Sequence, residues 1–373
     1  MKYTLRTVAT AAAVLLALSA CGSKPTNNAG SGASSTPTTA ASSTTQPSTP
    51  AAAALKACMV LDTGGVDDRS FNESSWKGMQ DAKAKNANIE ISYVSSSSQN
   101  DYVPNLQAEV AKGCDTTIAV GGLMGDAVKQ VAGQNPNKKF AEVDASSSGP
   151  NVYGLQFNTA QAAFLGGYLA AGISKSGVVA TFGGLNIPPV TIYMDGFWEG
   201  VQYYNQQKGK HVKVLGWDEK NQKGGTFAQS FTDQGKGRSV SQSFIQQGAD
   251  VIFPVAGGTG LGAGAAAQAS GGKVSVIWVD TDGCLSAPQY CKYFASSVTK
   301  NIAKAVETYL DQAAAGTYPT GSYVGTLEND GVGLAPFHDF DSKVPAELKT
   351  ELDQLKQDII SGKIKISSPS QPQ

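Results

Sequence analysis

The chain has 373 residues, 29 Lys and Arg, 30 Asp and Glu, and a formal net charge of −1. No run of Lys or Arg marks a surface that would follow a phosphate backbone, which argues against a nucleic acid partner. About 320 residues follow position 53, more than one hydrophobic core usually serves, so we expect two lobes.

The first twenty residues have the features of an export signal. Lys2 and Arg6 precede an uncharged run over 8–18 that is too short to span a bilayer. The run ends in Leu18-Ser-Ala-Cys21, which resembles a bacterial lipobox, in which the cysteine becomes the lipidated N-terminus. A secretory signal that happens to contain a cysteine is the alternative. We predict a signal peptide over 1–20 and lipid attachment at Cys21.

Residues 21–53 consist mainly of Ser, Thr, Pro and Ala, with no acidic residue and almost nothing to bury. Such a segment cannot form a core, so we predict a disordered tether. No later apolar stretch approaches bilayer length, and the lipid is therefore the only membrane contact that the sequence predicts.

From position 54, short apolar runs alternate with helical patterns, which is typical of parallel β/α layers. The predicted strands are 56–61, 89–94, 116–120, 139–144, 152–157, 178–182, 212–217, 251–255 and 274–279. The predicted helices are 70–86, 103–112, 125–134, 159–174, 190–206, 236–247 and 260–270. These strands are too many for one compact sheet, so we predict an α/β fold of two doubly wound lobes. Ligands should bind at the carboxyl ends of the strands.

Four cysteines remain if Cys21 carries lipid, an even number in an oxidising compartment. Cys58 and Cys114 each begin a predicted strand, and these strands would be neighbours, so we pair them. Cys284 and Cys291 then close a short loop. Four reduced, buried thiols are the alternative. A zinc site is less favoured, because the chain has only two histidines.

The loop after the first strand is unusual. Asp62 follows the strand, and Phe71 and Asn72 open the next helix beside a glycine pair and further carboxylates. Ser70, with Glu73 three residues later, fits a capping box. We predict that Ser70 caps the helix while Asp62, Phe71 and Asn72 face a cleft, and we include Ser70 among the ligand-binding residues.

Three further strand ends carry glycine or acidic residues. Asp126 follows Gly121-Gly122 and is predicted either to contact ligand or only to complement a helix dipole. Gly257 and Gly258 would let backbone amides approach a ligand, and Asp280 ends the next strand, where it could accept two hydrogen bonds from a ribose-like diol.

The turn at 258–263 also satisfies a G-x-G-x-x-A dinucleotide pattern, which is the best case for an enzyme. Nicotinamide cofactors are not supplied outside the cytoplasm, and the motif by itself is weak. Nucleophile-elbow, zinc-protease and P-loop motifs are absent, and both His211 and His338 suit structural roles. Asp67 and Asp68 are adjacent, so their side chains should diverge. We expect no catalytic residue, no cofactor and no metal.

Four motifs together are similar to the basic membrane protein family of solute-binding lipoproteins, whose best-understood members bind purine nucleosides for ABC transporters. They are the segment from Gly64 to Gly78, Phe164-Leu-Gly-Gly-Tyr-Leu-Ala-Ala171, Asp195-Gly-Phe-Trp-Glu-Gly200, and the segment from Gly248 to Gly262. The resemblance implies a type I periplasmic-binding-protein fold, with two lobes joined by three crossovers. We assign 54–157 with 282–318 to lobe 1, 158–281 with 319–366 to lobe 2, and 367–373 to a disordered tail.

The resemblance also implies roles for individual residues. Phe71 and Phe231 would stack on the two faces of a purine, with Trp198 and Tyr193 as alternative aromatics. Polar edges of the nucleoside would meet Asp62, Asn72 and Asp126, while Asp280 and Lys300 would hold the ribose. Asp282-Gly283-Cys284 departs from the family, which often has Gln shortly after the acid at the Asp280 position.

The predicted function is therefore capture of a nucleoside, purine by resemblance, for an ABC permease, by a monomeric lipoprotein on the outer face of the cytoplasmic membrane. A sugar receptor of the same fold and a secreted dinucleotide-dependent enzyme are the alternatives.

Overall fold

A computed structural model describes residues 54–372. The predicted signal peptide, the predicted lipid attachment site at Cys21 and the predicted tether lie outside the described residues, as does the last residue of the predicted tail.

The first sheet contains six parallel strands in the order β11-β5-β4-β3-β1-β2. Its strands are β1 (Leu55–Leu61), β2 (Ile89–Ser95), β3 (Thr116–Val120), β4 (Lys139–Val143), β5 (Val152–Phe157) and β11 (Ser322–Gly325). The interior strands β3 and β4 are almost wholly buried, as expected for a sheet covered on both faces.

The second sheet also has six strands, in the order β12-β10-β9-β8-β6-β7. They are β6 (Val178–Gly183), β7 (Lys213–Leu215), β8 (Val251–Val255), β9 (Ser275–Asp280), β10 (Phe294–Lys300) and β12 (Val332–Leu334). All pair in parallel except β12, which runs antiparallel to β10 at the edge.

Helices connect the strands and cover the sheets. They are α1 (Phe71–Lys85), α2 (Tyr102–Ala111), α3 (Gly125–Gln134), α4 (Thr159–Ile173), α5 (Pro188–Lys208), α6 (Gln234–Gln246), α7 (Leu261–Ala269), α8 (Gly283–Ser286), α9 (Ile302–Ala314) and α10 (Ala346–Ile360). The predicted α/β class and its two doubly wound lobes are confirmed.

The chain passes between the sheets three times: after β5, after β10, and between β11 and β12. The second and third passages differ from the predicted division of the chain. β10 pairs with β9 and belongs to the second lobe, although 282–318 was assigned to the first. β11 pairs with β5 and belongs to the first lobe, although 319–366 was assigned to the second.

The reason lies in β10, whose sequence Phe-Ala-Ser-Ser-Val-Thr-Lys is rich in small polar residues and was not predicted as a strand. Its serines are nevertheless buried and hydrogen-bonded: the hydroxyl of Ser296 donates to the carbonyl of Ala335, and that of Ser297 accepts from the Gly283 amide. Tertiary partners, which no local pattern reveals, compensate the burial of these polar groups.

Helices α4 and α5 pack very closely because each presents glycine to the other. A methyl group at Gly167 would overlap the backbone carbonyl of Phe197, and one at Gly200 would overlap that of Phe164. Gly167 and Gly200 belong to the two helical motifs noted in the sequence, 164–171 and 195–200. These glycines therefore serve the packing of the two helices.

Both predicted disulfides are present. Cys58, in the middle of β1, is joined to Cys114, two residues before β3, with their Cα atoms 6.0 Å apart. Cys284 and Cys291 close their short loop with Cα atoms 4.5 Å apart.

The predicted disordered tail makes defined contacts instead. The hydroxyl of Ser368 donates to Asp195 Oδ2 at 2.5 Å, and the amide of Ser367 donates to Glu199 at 3.0 Å. These carboxylates on α5 hold residues that the composition alone would leave free. Across 54–372, no helix combines the length and the apolar character needed to cross a membrane.

Candidate functional site

A cavity lies where the carboxyl ends of strands from both sheets face each other. It encloses about 570 Å³ of empty space, part of which opens to solvent. The first lobe supplies Asp62, Gly64, Asp68, Phe71, Asn72, Gly121, Gly122, Leu123 and Asp144 to its wall. The second lobe supplies Ile187, Pro189, Val190, Tyr193, Phe231, Val255, Ala256, Gly257, Val279, Asp280 and Lys300.

Most residues predicted to contact ligand meet in this cavity. Asp62, Phe71, Asn72, Phe231, Gly257, Asp280 and Lys300 line it. Ser70 and Gly258 are buried just behind the wall. Asp126 is exposed on the first turn of α3 and does not line the cavity, so its structural position fits the helix-dipole alternative.

Asp68, rather than Ser70, caps α1. Its carboxylate accepts the backbone N–H groups of Ser70 at 3.0 Å, Asn72 at 2.9 Å and Glu73 at 3.1 Å. Ser70 makes no side-chain capping bond, so the predicted capping box is wrong. Burial raises the pKa of the Asp68 carboxyl to about 7, although these three hydrogen bonds oppose the shift. Asp67 is exposed, as the predicted divergence of the pair requires.

Asp62 and Asn72 form a polar pair at one part of the wall. Asn72 Nδ2 donates to Asp62 Oδ1 at 2.9 Å, and the amide of Gly64 donates to the same oxygen at 3.0 Å. Burial raises the pKa of Asp62 in spite of these bonds. The amide oxygen Oδ1 of Asn72 is buried and has no protein partner. A bound molecule with an N–H or O–H group at this point would satisfy it.

A second polar group centres on Lys300, whose side chain is 3% exposed. Its Nζ lies 2.9 and 2.8 Å from the two oxygens of Asp144 and 3.8 Å from Asp280 Oδ1. Burial raises the pKa of Asp144, while the positive charge of Lys300 opposes the rise. One buried cation is thus close to two carboxylates whose side chains are only 9% exposed.

Asp280 is held by both lobes. The hydroxyl of Ser70, from the first lobe, donates to its Oδ2 at 2.6 Å, and the hydroxyl of Tyr193 donates to its Oδ1 at 2.7 Å. Asp144 and Asp280 each end a strand in the left-handed backbone region, with φ of 68° and 64°. Four acceptor directions exist on a carboxylate, so two bonds leave Asp280 able to accept more.

Lys300 also connects the charged group to the aromatic part of the wall. Its Nζ lies 4.9 Å from the ring centroid of Phe71 and 5.3 Å from that of Tyr193, within cation–π range. The sequence had named Tyr193 only as a spare aromatic.

The lobes touch beside the cavity. The Thr281 hydroxyl donates to the Arg69 carbonyl at 3.1 Å, and an added methyl at Gly122 would lie 3.1 Å from Pro189 Cγ. Together with the bond between Ser70 and Asp280, these contacts show a closed arrangement of the two lobes.

Two important wall residues, Asp144 and Asp68, were not predicted to contact ligand, and a third, Tyr193, was named only as an alternative aromatic. Asp144 follows a buried strand as Asp62 and Asp280 do, so the same reasoning could have found it. Asp68 was considered only as a carboxylate pair with Asp67. Tyr193 lies inside a helix, where no local signal separates a site residue from a core aromatic. Neither His211 nor His338 lines the cavity.

Near the site, Glu142 on β4 is fully buried and neither carboxylate oxygen has a hydrogen-bond partner. Burial, with a smaller contribution from the charge of Asp126, raises its pKa from 4.5 to about 8. In the unfolded chain the Glu142 carboxyl loses its proton near pH 4.5, whereas in the folded protein it keeps the proton up to about pH 8. Unfolding therefore releases a proton in this window, and rising pH favours the unfolded state.

We expect the free energy of unfolding of the wild type to fall by about 1–2 kcal/mol relative to Glu142→Gln between pH 6 and pH 8, because glutamine has no proton to lose. Denaturant titrations at several pH values would measure it. Glu328→Gln, at an exposed glutamate, should follow the wild type. Parallel curves for wild type and Glu142→Gln would show that Glu142 does not keep its proton.

The sequence profile described as "ABC transporter substrate-binding protein PnrA-like" matches residues 55–370. The chain belongs to this family. A PnrA-like protein is the substrate-binding component of an ABC transporter, which binds a small molecule and works with permease subunits. The family indicated by the sequence motifs is thereby confirmed.

Among the relatives of this PnrA-like protein is a CD4+ T-cell-stimulating antigen of Listeria monocytogenes, 32% identical over 84% of this chain and 88% of its own. The ABC transporter nucleoside-binding protein BmpA of Lactococcus lactis is 29% identical, covering 84% and 89% of the two chains. Basic membrane protein A of Borreliella burgdorferi is 30% identical, covering 84% and 88%.

Solved structures agree on the fold. An ABC transporter solute-binding protein from Aeropyrum pernix K1 superposes with a TM-score of 0.76 at 25% identity, covering 84% of this chain and 94% of its own. A protein from Actinobacillus succinogenes with bound D-allose has a TM-score of 0.57 at 15% identity, covering 77% and 99%, a likeness of fold alone.

Proposed function

We propose that this PnrA-like protein binds nucleosides, purine nucleosides in particular, in the cavity between its lobes and delivers them to an ABC permease. The observation that carries the proposal is the pairing, in one cavity, of two aromatic rings from opposite lobes with a buried carboxylate and ammonium. Phe71 comes from the first lobe, Phe231 from the second, and Asp280 and Lys300 close the charged side.

The two kinds of wall suit the two parts of a nucleoside. Aromatic faces bind an unpaired base by stacking, which contributes about 1–3 kcal/mol per base. A buried carboxylate with free acceptor directions suits the vicinal hydroxyls of a ribose. The buried Oδ1 of Asn72 has no protein partner and could accept a hydrogen bond from an N–H or O–H group on the edge of the ligand. The name of the Lactococcus lactis relative supports the same ligand class.

The cellular setting is part of the proposal. Lipid attachment at Cys21 would tether the binding domain to the outer face of the membrane through residues 21–53. The name of a 31% identical relative from Pyrococcus horikoshii, a lipoprotein, supports this. In the proposal the protein is a monomer that captures its ligand without catalysis.

Calorimetry on the full chain, freed of bound molecules by unfolding and refolding, would test the ligand class. The panel is adenosine, guanosine, inosine, cytidine, ribose, galactose and NAD. We expect saturable binding of at least one purine nucleoside. Binding of a free sugar with no nucleoside bound would favour the sugar receptor, and tight binding of NAD would favour the enzyme.

Phe71→Ala removes one proposed stacking surface. At about 1–3 kcal/mol per stacked base, the dissociation constant for the bound nucleoside should rise about five- to one-hundred-fold. Trp198→Ala is the matched control, because Trp198 lies in a separate groove with Glu199 and Tyr203. Equal losses in the two variants would contradict stacking by Phe71.

A further inference from the structure

A cluster of metal-ligating side chains lies outside the cavity, around the short disulfide loop. Asp282, Cys284 and His338 each direct one ligand atom into it, and these atoms all lie within 4.8 Å of one another. Cys291 is not one of these three residues, but its disulfide bond to Cys284 brings a second sulfur next to them. His338 lies 54 positions after Cys284 in the chain, and only the tertiary structure brings the two together.

The cluster is held in place by its own bonds. His338 Nε2 lies 2.7 Å from Asp282 Oδ2, and Asp282 Oδ1 accepts the backbone N–H of Cys284 at 3.0 Å. His338 occupies the left-handed backbone region with φ of 44°, which is uncommon for a residue other than glycine. The imidazole is thus fixed beside the sulfur of Cys284.

The two disulfides differ in access. Cys58 and Cys114 are 0% and 1% exposed, whereas Cys284 and Cys291 are both partly exposed. The neighbouring side chains of His338 and Asp282 are 30% and 18% exposed. A reductant in solution can reach the short loop, while the interior disulfide is shielded from it.

We propose that the Cys284–Cys291 disulfide is reducible in the folded protein and that its dithiol form, with His338 and Asp282, binds one Zn²⁺. A dithiol or phosphine reductant supplies two electrons and is itself oxidised, the S–S bond breaks, and each sulfur takes a proton. Zinc then binds both sulfurs as thiolates and releases those two protons to solvent.

The chemistry of the four groups fits the ion, and three of them already lie close together. Zinc in proteins takes four ligands, usually sulfur, nitrogen and carboxylate oxygen, in a tetrahedron with bonds of about 2.0–2.3 Å. Such bonds place the ligand atoms about 3.3–3.8 Å apart. The three atoms within 4.8 Å need only small movements to reach these separations. The sulfurs separate once the disulfide is reduced.

Cobalt(II) gives a direct optical test, because tetrahedral Co²⁺ with thiolate ligands absorbs in the visible and shows sulfur-to-metal charge transfer. The full chain would be reduced with a phosphine without oxygen. Alkylation and mass spectrometry would establish that Cys284 and Cys291 are free and that Cys58 and Cys114 remain joined. We expect one equivalent of Co²⁺ to bind with that spectrum, and Zn²⁺ to displace it.

Three variants sharpen the test. The double change Cys284→Ser and Cys291→Ser should abolish the charge-transfer band. His338→Ala should weaken Co²⁺ binding at least about tenfold, since even outer-shell changes at metal sites cost that much. His211→Ala, at the other histidine, should leave binding unchanged.

The proposal fails if the reduced, folded protein binds no Co²⁺, or if the serine variant binds it equally well. It also fails if the short disulfide resists reduction until the protein unfolds. Each result is independent of which ligand occupies the cavity.

Discussion

Replacing Lys300 with methionine should lower the free energy of unfolding by about 3–5 kcal/mol, the usual cost of removing one partner from a buried ion pair. Methionine keeps much of the side-chain length, so the effect isolates the charge. Asp144 and Asp280 would then face each other across the cavity wall without their cation. Denaturant unfolding of wild type and variant at neutral pH would measure the loss.

Two further variants serve as controls for the effect of Lys300→Met. Lys77→Met removes one partner of the exposed pair between Lys77 and Asp81, and such surface pairs contribute at most about 1 kcal/mol. Lys300→Met combined with Asp144→Asn should be more stable than Lys300→Met alone, because it removes one uncompensated charge. A loss below about 1 kcal/mol for Lys300→Met would show that water screens these groups in spite of their burial.

Asp280→Ala should weaken the binding of ribonucleosides about one-hundred-fold or more and that of the matching 2′-deoxynucleosides much less. A hydrogen bond to a charged group contributes about 1.5–3 kcal/mol, and a ribose can donate two such bonds where a 2′-deoxyribose donates one. The expectation depends on the proposed nucleoside ligand. Lys300 keeps Asp144 as its partner in this variant, so the fold should survive.

Calorimetry with paired ribo and deoxy ligands would measure the difference. Tyr193→Phe is the matched control: it removes a hydroxyl that donates to Asp280 but keeps the carboxylate itself. Its effect should be smaller than that of Asp280→Ala. If Asp280→Ala weakened the binding of ribonucleosides and 2′-deoxynucleosides equally, Asp280 would not bind the ribose hydroxyls. Its role would then be to hold the two lobes together through its hydrogen bond with Ser70.

Several site residues were predictable because of one geometric rule. The carboxyl ends of parallel strands meet at one edge of a sheet, so unusual residues directly after buried strands must come together. Asp62 directly follows β1 and Asp280 is the last residue of β9, and both line the cavity. The disulfide between Cys58 and Cys114 was predictable by similar logic, since Cys58 lies in β1, Cys114 lies just before β3, and these strands are neighbours.

The residue that caps α1 could not be predicted from the sequence in this way. Asp68 and Ser70 both precede α1 and both can accept hydrogen bonds from its first amides. The spacing to Glu73 favoured Ser70. In the folded protein the hydroxyl of Ser70 turns to Asp280 in the other lobe, and Asp68 takes over the helix amides. The choice depended on a partner 210 residues away.

By itself, then, the sequence determined what depends on local order along the chain: the alternation of strands and helices, the residues at strand ends, and the pairing of cysteines. The tertiary structure decided what depends on contacts between distant segments. It placed the polar strand β10 in the second sheet, Tyr193 and Asp144 beside Lys300, and His338 beside Cys284. The physical reason is that burying a polar group is stable only with a partner, and such partners come from the fold rather than from neighbouring residues.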